Sequence, residues 1–555
     1  MLNSFAPLTQ LRQTSRRSWQ LPTMPWYRWA FLLVGLGIIS LMLLTPIYLL
    51  VRAAETGAAA RELIFSTRTL ATLGRTVGLS AGVTLATIAI SVPLAWLTTC
   101  TDLPGRRFWS ISATLPLVIP SYVAAYLFVT VFGPKGLLQE LLSALFGIES
   151  IPEIYGFPGA LLVLTLISYP YTYLSVRAAL RRLDPSQAEA ARSLGLSGWA
   201  TFWRITLPQL RPALVAGSLL VSLYVLRDFG AVTMLRYNTF TRIIYVQYNS
   251  LFDRAQAAAL ALILVVLTVS ILLLERRSRG RARYERLSAG AARQARPVAL
   301  GKWRWPALFF VGSVVLVALI IPAGTLTYWV IRGLRQDFVA NALAGSANVS
   351  QLDALWPAAW NSLSAGFLAA VLTLLLALPV AIMAVRRPNR WNQLVEQITY
   401  TGFALPGIVI ALALVFFGAR YLPGLYQTLP MLLAAYVILF LPQAIGSTRA
   451  SLLQVSPSLE EAGRSLGYKP AEVLRRITLP LVSPGVLAGG ALVFLTVMKE
   501  LPATLLLSPL GFTSLATMVW SNISEAFFAQ AAIPTLLLIL LSSLPLAYMT
   551  IKEKH

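Results

Sequence analysis

Asp228 and Glu500 are the acids lying well within apolar stretches of this 555-residue chain, and each directly follows a base, Arg227 and Lys499. Charge in such surroundings is expensive and is usually retained for function. Carboxylate and phenolate oxygens are what a hard cation prefers, and Tyr122, Tyr126 and Tyr169 offer phenols, although tyrosine is common at any membrane interface. Neighbouring helical residues point to different faces, so each acid diverges from its base. Two roles stay open for the acids: contact with a substrate, or ion pairs that hold helices together. These residues assign no metal site. The one histidine is the last residue, His555, and the one cysteine is Cys100. They leave no intrachain disulfide and no nucleophile-base or metal constellation of the kind an enzyme needs.

The elements that position these groups are apolar runs. The chain is 57% apolar and only 12% charged, against about 25% charged in an ordinary soluble domain. Apolar runs near 29–51, 76–99, 110–132, 158–179, 209–232, 255–275, 304–330, 362–385, 396–418, 430–448, 483–507 and 531–550 are each about long enough to cross a bilayer. Lipid offers no partner to backbone polar groups, and the runs do not alternate as barrel strands do, so they must be helices. The expected fold is an all-α membrane bundle of about twelve transmembrane helices.

The net charge of +24 would suggest nucleic acid in a soluble protein, but here the bases have addresses. They cluster at Arg12, Arg16 and Arg17, at Arg106 and Arg107, and at Arg181, Arg182, Arg192 and Arg204. They return at Arg276, Arg277, Arg279, Arg281 and Arg283, at Arg386, Arg387 and Arg390, and at Lys552 and Lys554. Alternate loops of a serpentine chain carry them, as the positive-inside rule requires of cytoplasmic segments, which places both termini inside the cell. The first run is too long for a signal-peptide core, so "AAETGAAA" beyond it is read as following an uncleaved anchor.

The chain also says something twice. Residues 189–208 read "EAARSLGLSGWATFWRITLP", and 272 residues further on 461–480 read "EAGRSLGYKPAEVLRRITLP". At that offset Pro170 meets Pro442, Arg177 meets Arg449, Pro212 meets Pro484, Gly217 meets Gly489, and Arg227-Asp228 meets Lys499-Glu500. Roughly a third of some eighty ungapped positions are identical, the mark of an internal repeat. Earlier the offset is 286, pairing Pro93 with Pro379 and Pro120 with Pro406, so the first half carries 14 extra residues in an outside loop. The expected organisation is a first half over 1–275, a basic and poorly ordered linker over 276–303, and a second half over 304–555. Six helices per half return the chain to the cytoplasm, so the repeats are parallel, about an axis along the membrane normal.

Local chemistry shapes each motif into a helix-turn-helix in a cytoplasmic loop, 181–208 and 453–480. Asp184-Pro185-Ser186 and Ser456-Pro457 start the first short helix, and Gly195 and Gly467 can take the left-handed conformation that stops it. Small Ala190 and Ala191 beside Glu189 read as an exposed surface open to close docking. Trp199, Phe202 and Trp203, with Val473 and Leu474, either seat the motif on its own half or fill a partner's cleft.

Spelled as Glu-Ala-Ala, three residues, Gly, nine residues, Ile, one residue, Leu-Pro, the pattern resembles the EAA loop of permease subunits of bacterial ATP-binding-cassette (ABC) importers. It matches at Glu189, Ala190, Ala191, Gly195, Ile205, Leu207 and Pro208, and again at Glu461, Ala462, Gly467, Ile477, Leu479 and Pro480, with Gly463 in place of the second alanine. The resemblance implies the type I importer transmembrane fold in a fused two-half form, in the bacterial inner membrane. It implies a coupling helix from each loop docked into one of two copies of a cytoplasmic ATPase, and an extracytoplasmic binding protein as a further partner. The chain lacks a G-x-x-x-x-G-K-[ST] stretch, so it binds no cofactor of its own, and ATP and magnesium belong to the ATPase subunits.

Residues 498–520, "MKELPATLLLSPLGFTSLATMVW", and their counterpart "LRDFGAVTMLRYNTFTRIIYVQY" resemble fused permeases for ferric iron, whose relatives carry thiamine, phosphonates, sulfate or polyamines, so that a permease for thiamine or another small solute is the main rival to iron. The alternative class, an ion-coupled secondary transporter, expects ionisable groups near the midplane and often inverted repeats. From Pro212 to Asp228 is sixteen residues, or about 24 Å of helix, which sets the candidate pathway residues Arg227, Asp228, Lys499 and Glu500 towards the outer mouth.

Overall fold

The computed structural model describes residues 25–55, 62–63, 65–148, 150–183, 185–250, 254–278, 297–344, 351–387 and 389–552. Its first half runs through α1 (Pro25–Glu55), α2 (Thr67–Cys100), α3 (Ser121–Phe132), α4 (Phe157–Arg182), α5 (Pro185–Ser193), α6 (Leu207–Arg227), α7 (Gly230–Met234) and α8 (Arg254–Ser278). The second runs through α9 (Arg304–Val315), α10 (Ile321–Ala344), α11 (Gln351–Arg386), α12 (Gly407–Tyr421), α13 (Leu429–Gln454), α14 (Pro457–Ser465), α15 (Leu479–Met498), α16 (Pro502–Leu507) and α17 (Phe528–Lys552). Among the described residues ten helical segments are long and apolar enough to cross a membrane, and Gly407–Tyr421 and Phe528–Leu544 are shorter apolar helices.

The two halves repeat each other's breaks as well as their spans. The run at 110–132 is not one helix but Arg106–Ser112, a 3-10 turn and α3, and the run at 396–418 is likewise Arg390–Thr399, a short turn and α12. Pro120 and Pro406 sit at these breaks, and proline disfavours the α conformation in the residue before it; here Ile119 and Leu405 are extended, with ψ of 122° and 120°. The runs at 209–232 and 483–507 also stop early, at Arg227 and Met498, and restart at Gly230 and Pro502.

The opening helices trade sides. α1 packs along α8 of its own half but also against Arg390–Thr399, α11 and α12 of the other, with Tyr48 on Phe416 at 6.1 Å between ring centroids. Correspondingly α9 packs on α2, and α10 on both α3 and α17. The boundary between halves in sequence is thus not the boundary between packing units. The expectation of a poorly ordered linker fails at its end, where Val298 bridges to Thr101 and the Leu300 N–H donates to Asp102 at 2.9 Å. Residues 279–296 of the linker lie outside the described residues.

Candidate functional site

Each repeated motif folds into the same four pieces. α5 ends at a Schellman turn, in which the Gly195 N–H donates to the Arg192 carbonyl and the Leu196 N–H to the Ala191 carbonyl, at 3.0 and 3.1 Å. α14 ends identically, with Gly467 on Arg464 and Tyr468 on Gly463, at 3.0 and 3.2 Å. Gly195 and Gly467 have φ of +90° and +88°, which excludes most residues with a Cβ. One short turn follows, then a π-helical turn over Phe202–Thr206 and Leu474–Thr478, then α6 and α15. Such turns are rare and often mark functional segments. Ser456 accepts from the Ser458 N–H at the start of α14, whereas Asp184, the expected cap of α5, lies outside the described residues.

Glu189, Ala190, Glu461 and Ala462 are exposed, but Ala191 is not: it is buried at 6% exposure. Its counterpart Gly463 is buried too, and a Cβ there would stand 2.4 Å from Ile477 Cδ1. The departure from Glu-Ala-Ala in the second copy therefore makes room for Ile477 beneath α14. The same Ile and the Leu-Pro pair, Ile205, Leu207 and Pro208 or Ile477, Leu479 and Pro480, join the motif to the next spanning helix.

The aromatic residues divide between the two open roles. Phe202 seats the first motif against Trp96 of α2, with ring centroids 6.2 Å apart, and Val473 is buried in the second. Trp199 and Trp203 stay exposed, at 73% and 50%. Sequence reasoning missed Leu194 and Leu466, which occupy equivalent positions before the left-handed glycines and are exposed at 86% and 77%. Exposed leucine in a polar loop at the same place in both repeats was the available signal.

The charged pairs sit at the far end of α6 and α15, where both helices break. The Asp228 Oδ1 accepts the Ala231 and Val232 N–H groups at 3.0 and 3.2 Å, capping α7, and its carboxylate hydrogen-bonds Ser121, the first residue of α3. Glu500 caps α16 through the Ala503 N–H at 3.3 Å, and its carboxylate lies against Gly407, the first residue of α12. Ser121 and Gly407 are counterparts at the 286 offset. The shorter acid meets the larger partner and the longer acid the smaller one, so the two sites fill equal space by opposite choices.

The bases reach across the halves. Lys499 Nζ donates to the Leu117 carbonyl at 3.0 Å, and Arg227 interacts electrostatically with Glu500. Tyr122, Tyr126 and Tyr169 are buried, at 2%, 1% and 0%, rather than interfacial. Tyr122 packs edge-on to Trp520 and Tyr126 stacks on Phe528, both residues of the second half. The hydroxyls of Tyr122 and Tyr169 have no hydrogen-bond partner among the described residues, and no group of three or more His, Cys, Asp or Glu gathers there in a metal-holding arrangement.

An all-α bundle of two parallel repeats, each offering a capped helix-turn-helix at one end and a broken helix with a partly buried charge pair at the other, is the transmembrane fold of a type I importer. The chain belongs to the family described as the binding-protein-dependent transport system inner membrane component, whose model matches residues 91–284 and 375–554. It is 35% identical to the Fe(3+)-transport system permease protein FbpB 2 of Haemophilus influenzae over 93% of this chain and 97% of that protein. It is 27% identical to the probable ABC transporter permease protein y4fN of Sinorhizobium fredii, over 95% and 96% of the two chains. The sulfate transport system permease protein CysW of Escherichia coli is 26% identical over 41% of this chain and 77% of its own length. The chain is thus a multi-pass inner-membrane permease subunit of a non-catalytic family.

Proposed function

We propose that this chain is the translocation pathway of an ATP-driven importer of ferric iron, which an extracytoplasmic binding protein delivers. Two copies of a cytoplasmic ATPase dock at the loops 181–208 and 453–480, chiefly on Glu189, Ala190, Glu461, Ala462 and the exposed Leu194 and Leu466. Both termini then lie in the cytoplasm, and ATP and magnesium are held by the ATPase. The observation that carries the reading is the pair of Schellman-turn motifs with the same hydrogen-bond pattern, each leading directly into a spanning helix.

The mechanism follows from that continuity. α6 and α15 begin at the last residues of each motif and end at Arg227 and Met498. With 21 and 20 residues, they make rods of about 30 Å each. Force applied to α5 or α14 therefore arrives at the Asp228 and Glu500 breaks, where each acid caps the next short helix of its own half and the Lys499 tie and the Arg227–Glu500 interaction link the two halves. Closure of the ATPase dimer shifts both rods and opens these contacts toward the binding protein. Arg227, Asp228, Lys499 and Glu500 then form the constriction the cargo passes.

Iron is favoured by a relative named as an Fe(3+) permease that is 35% identical over 93% of this chain. Sulfate is the second reading, because sulfate permeases also match, over about a quarter to two fifths of this chain. ATP hydrolysis of the reconstituted complex separates them. Stimulation by binding protein loaded with ferric iron supports the proposal. Stimulation by sulfate or thiamine with their binding proteins, and not by iron, overturns it.

A further inference from the structure

The two docking motifs share a backbone but are fastened to their own halves by different chemistry. In the second half Arg386, the last residue of α11, places its Nε 3.1 Å and its terminal nitrogen 3.0 Å from Glu460 Oε1 of α14. The same guanidinium donates to the Val455 carbonyl at 2.9 Å, and the Thr478 hydroxyl of the π-helical turn donates to Glu460 Oε1 at 3.0 Å. The side chains of Arg386 and Glu460 are only 9% and 4% exposed. One buried carboxylate thus ties together the base of a spanning helix, the docking helix and the turn leading to α15.

At the aligned positions the first half has Cys100 for Arg386 and Ala188 for Glu460, while Thr206 is kept for Thr478. It uses the Trp96–Phe202 ring contact instead, where the second half has Ile382 and Leu474. A neighbouring pair differs in the same sense. Arg449 binds Glu396 at 2.8 Å in the second half, whereas its counterpart Arg177 faces the Tyr173 ring at 5.9 Å and Ser110 replaces the acid. A charge-assisted pair whose guanidinium also holds the Val455 carbonyl, and whose carboxylate oxygen also accepts from Thr478, is directional and tied at several points. The edge-on contact of Trp96 with Phe202 has no charge-assisted hydrogen bond and ties only two points.

We propose that Arg386 is a positioning residue that makes α14 rigid with α11, so that the halves respond unequally to the ATPase and the second carries the larger share of coupling. This rests on the docking role given to the two loops above. The importer of necessity has two ATPase contacts, and the fused chain lets them diverge because each contact meets its own sequence.

The test uses the full chain reconstituted with its ATPase and iron-loaded binding protein, measuring ATP hydrolysed per iron taken up. Arg386→Met should raise that ratio at least threefold with the ATPase still co-purifying, and Arg386→Lys should restore most of the coupling. Phe202→Leu, which gives the first half the second half's residue without the clamp, should change the ratio less than twofold. Where Arg386→Met fails to insert, the neutral pair Arg386→Met with Glu460→Met is measured in its place and should show the same rise. An unchanged ratio in these variants, or an equal rise from Phe202→Leu, overturns the asymmetry while leaving docking intact. Failure of the wild-type chain to retain an ATPase overturns docking and the asymmetry together.

Discussion

Lys499 Nζ of the second half donates to the main-chain carbonyl of Leu117 in the first, at 3.0 Å, across 382 residues of sequence. The tie lies at the break between α15 and α16, so it links the end of α15 to the opposite half. Removing the amine in Lys499→Met leaves the carbonyl without this partner, a loss of about 1–3 kcal/mol. The contact exists only while the halves are together, so the variant should favour their separation. ATP hydrolysis without binding protein should rise severalfold in liposomes; a rate equal to wild type would remove the tie from the mechanism.

Glu500 and Gly407 form a tighter relationship. A Cβ at Gly407 would stand 2.4 Å from Glu500 Oε1, so Gly407→Ala must push the carboxylate off the α16 cap. Uptake should fall at least tenfold. The first half predicts the remedy: Asp228→Glu alone and Ser121→Gly alone should each impair uptake, whereas the pair reproduces the second-half arrangement and should recover. A double-mutant cycle measures the coupling, and strict additivity would refute the matched-volume account.

Gly195 and Gly467 test backbone conformation in isolation. A Cβ on either meets nothing within 4 Å, so the cost of substitution is conformational, about 1–2 kcal/mol for a residue forced left-handed. Valine should uncouple ATP hydrolysis from uptake while the protein still inserts. Asparagine, which tolerates this region, should be close to wild type. Equal behaviour of valine and asparagine would show that the turn is not what the loop needs.

Gly463→Ala supplies the small residue that the first half already has as Ala191. Its Cβ would stand 2.4 Å from Ile477 Cδ1, the end of a flexible side chain, so the loss should be modest. Ile477→Val shortens that side chain and should restore the thermal midpoint of the double variant in detergent. Destabilisation that persists in the double variant would place the conflict elsewhere.

Much of this architecture is legible from composition and spacing. The apolar runs, the basic loops, the 272-residue repeat and the left-handed glycines are local properties, set within one helix or one turn. Asp228 and Glu500 stand out for the same reason, as charges in apolar sequence. Their partners do not, because Ser121 and Gly407 are unremarkable residues brought to them by packing of α7 on α3 and α16 on α12. The burial of Ala191 likewise depends on what lies beneath α5, which the motif does not encode.

The amino-acid order alone thus determines that the chain crosses the membrane as helices and carries two like loops, because lipid forces backbone hydrogen bonds inside each segment. Only the tertiary structure decides which segments touch. It sends α1 and α9 to the opposite half, breaks α6 and α15 from their short successors, and joins Arg386 to Glu460 over 74 residues. Those pairings are long-range, and a residue's type says what partner it needs without saying where in the chain that partner lies.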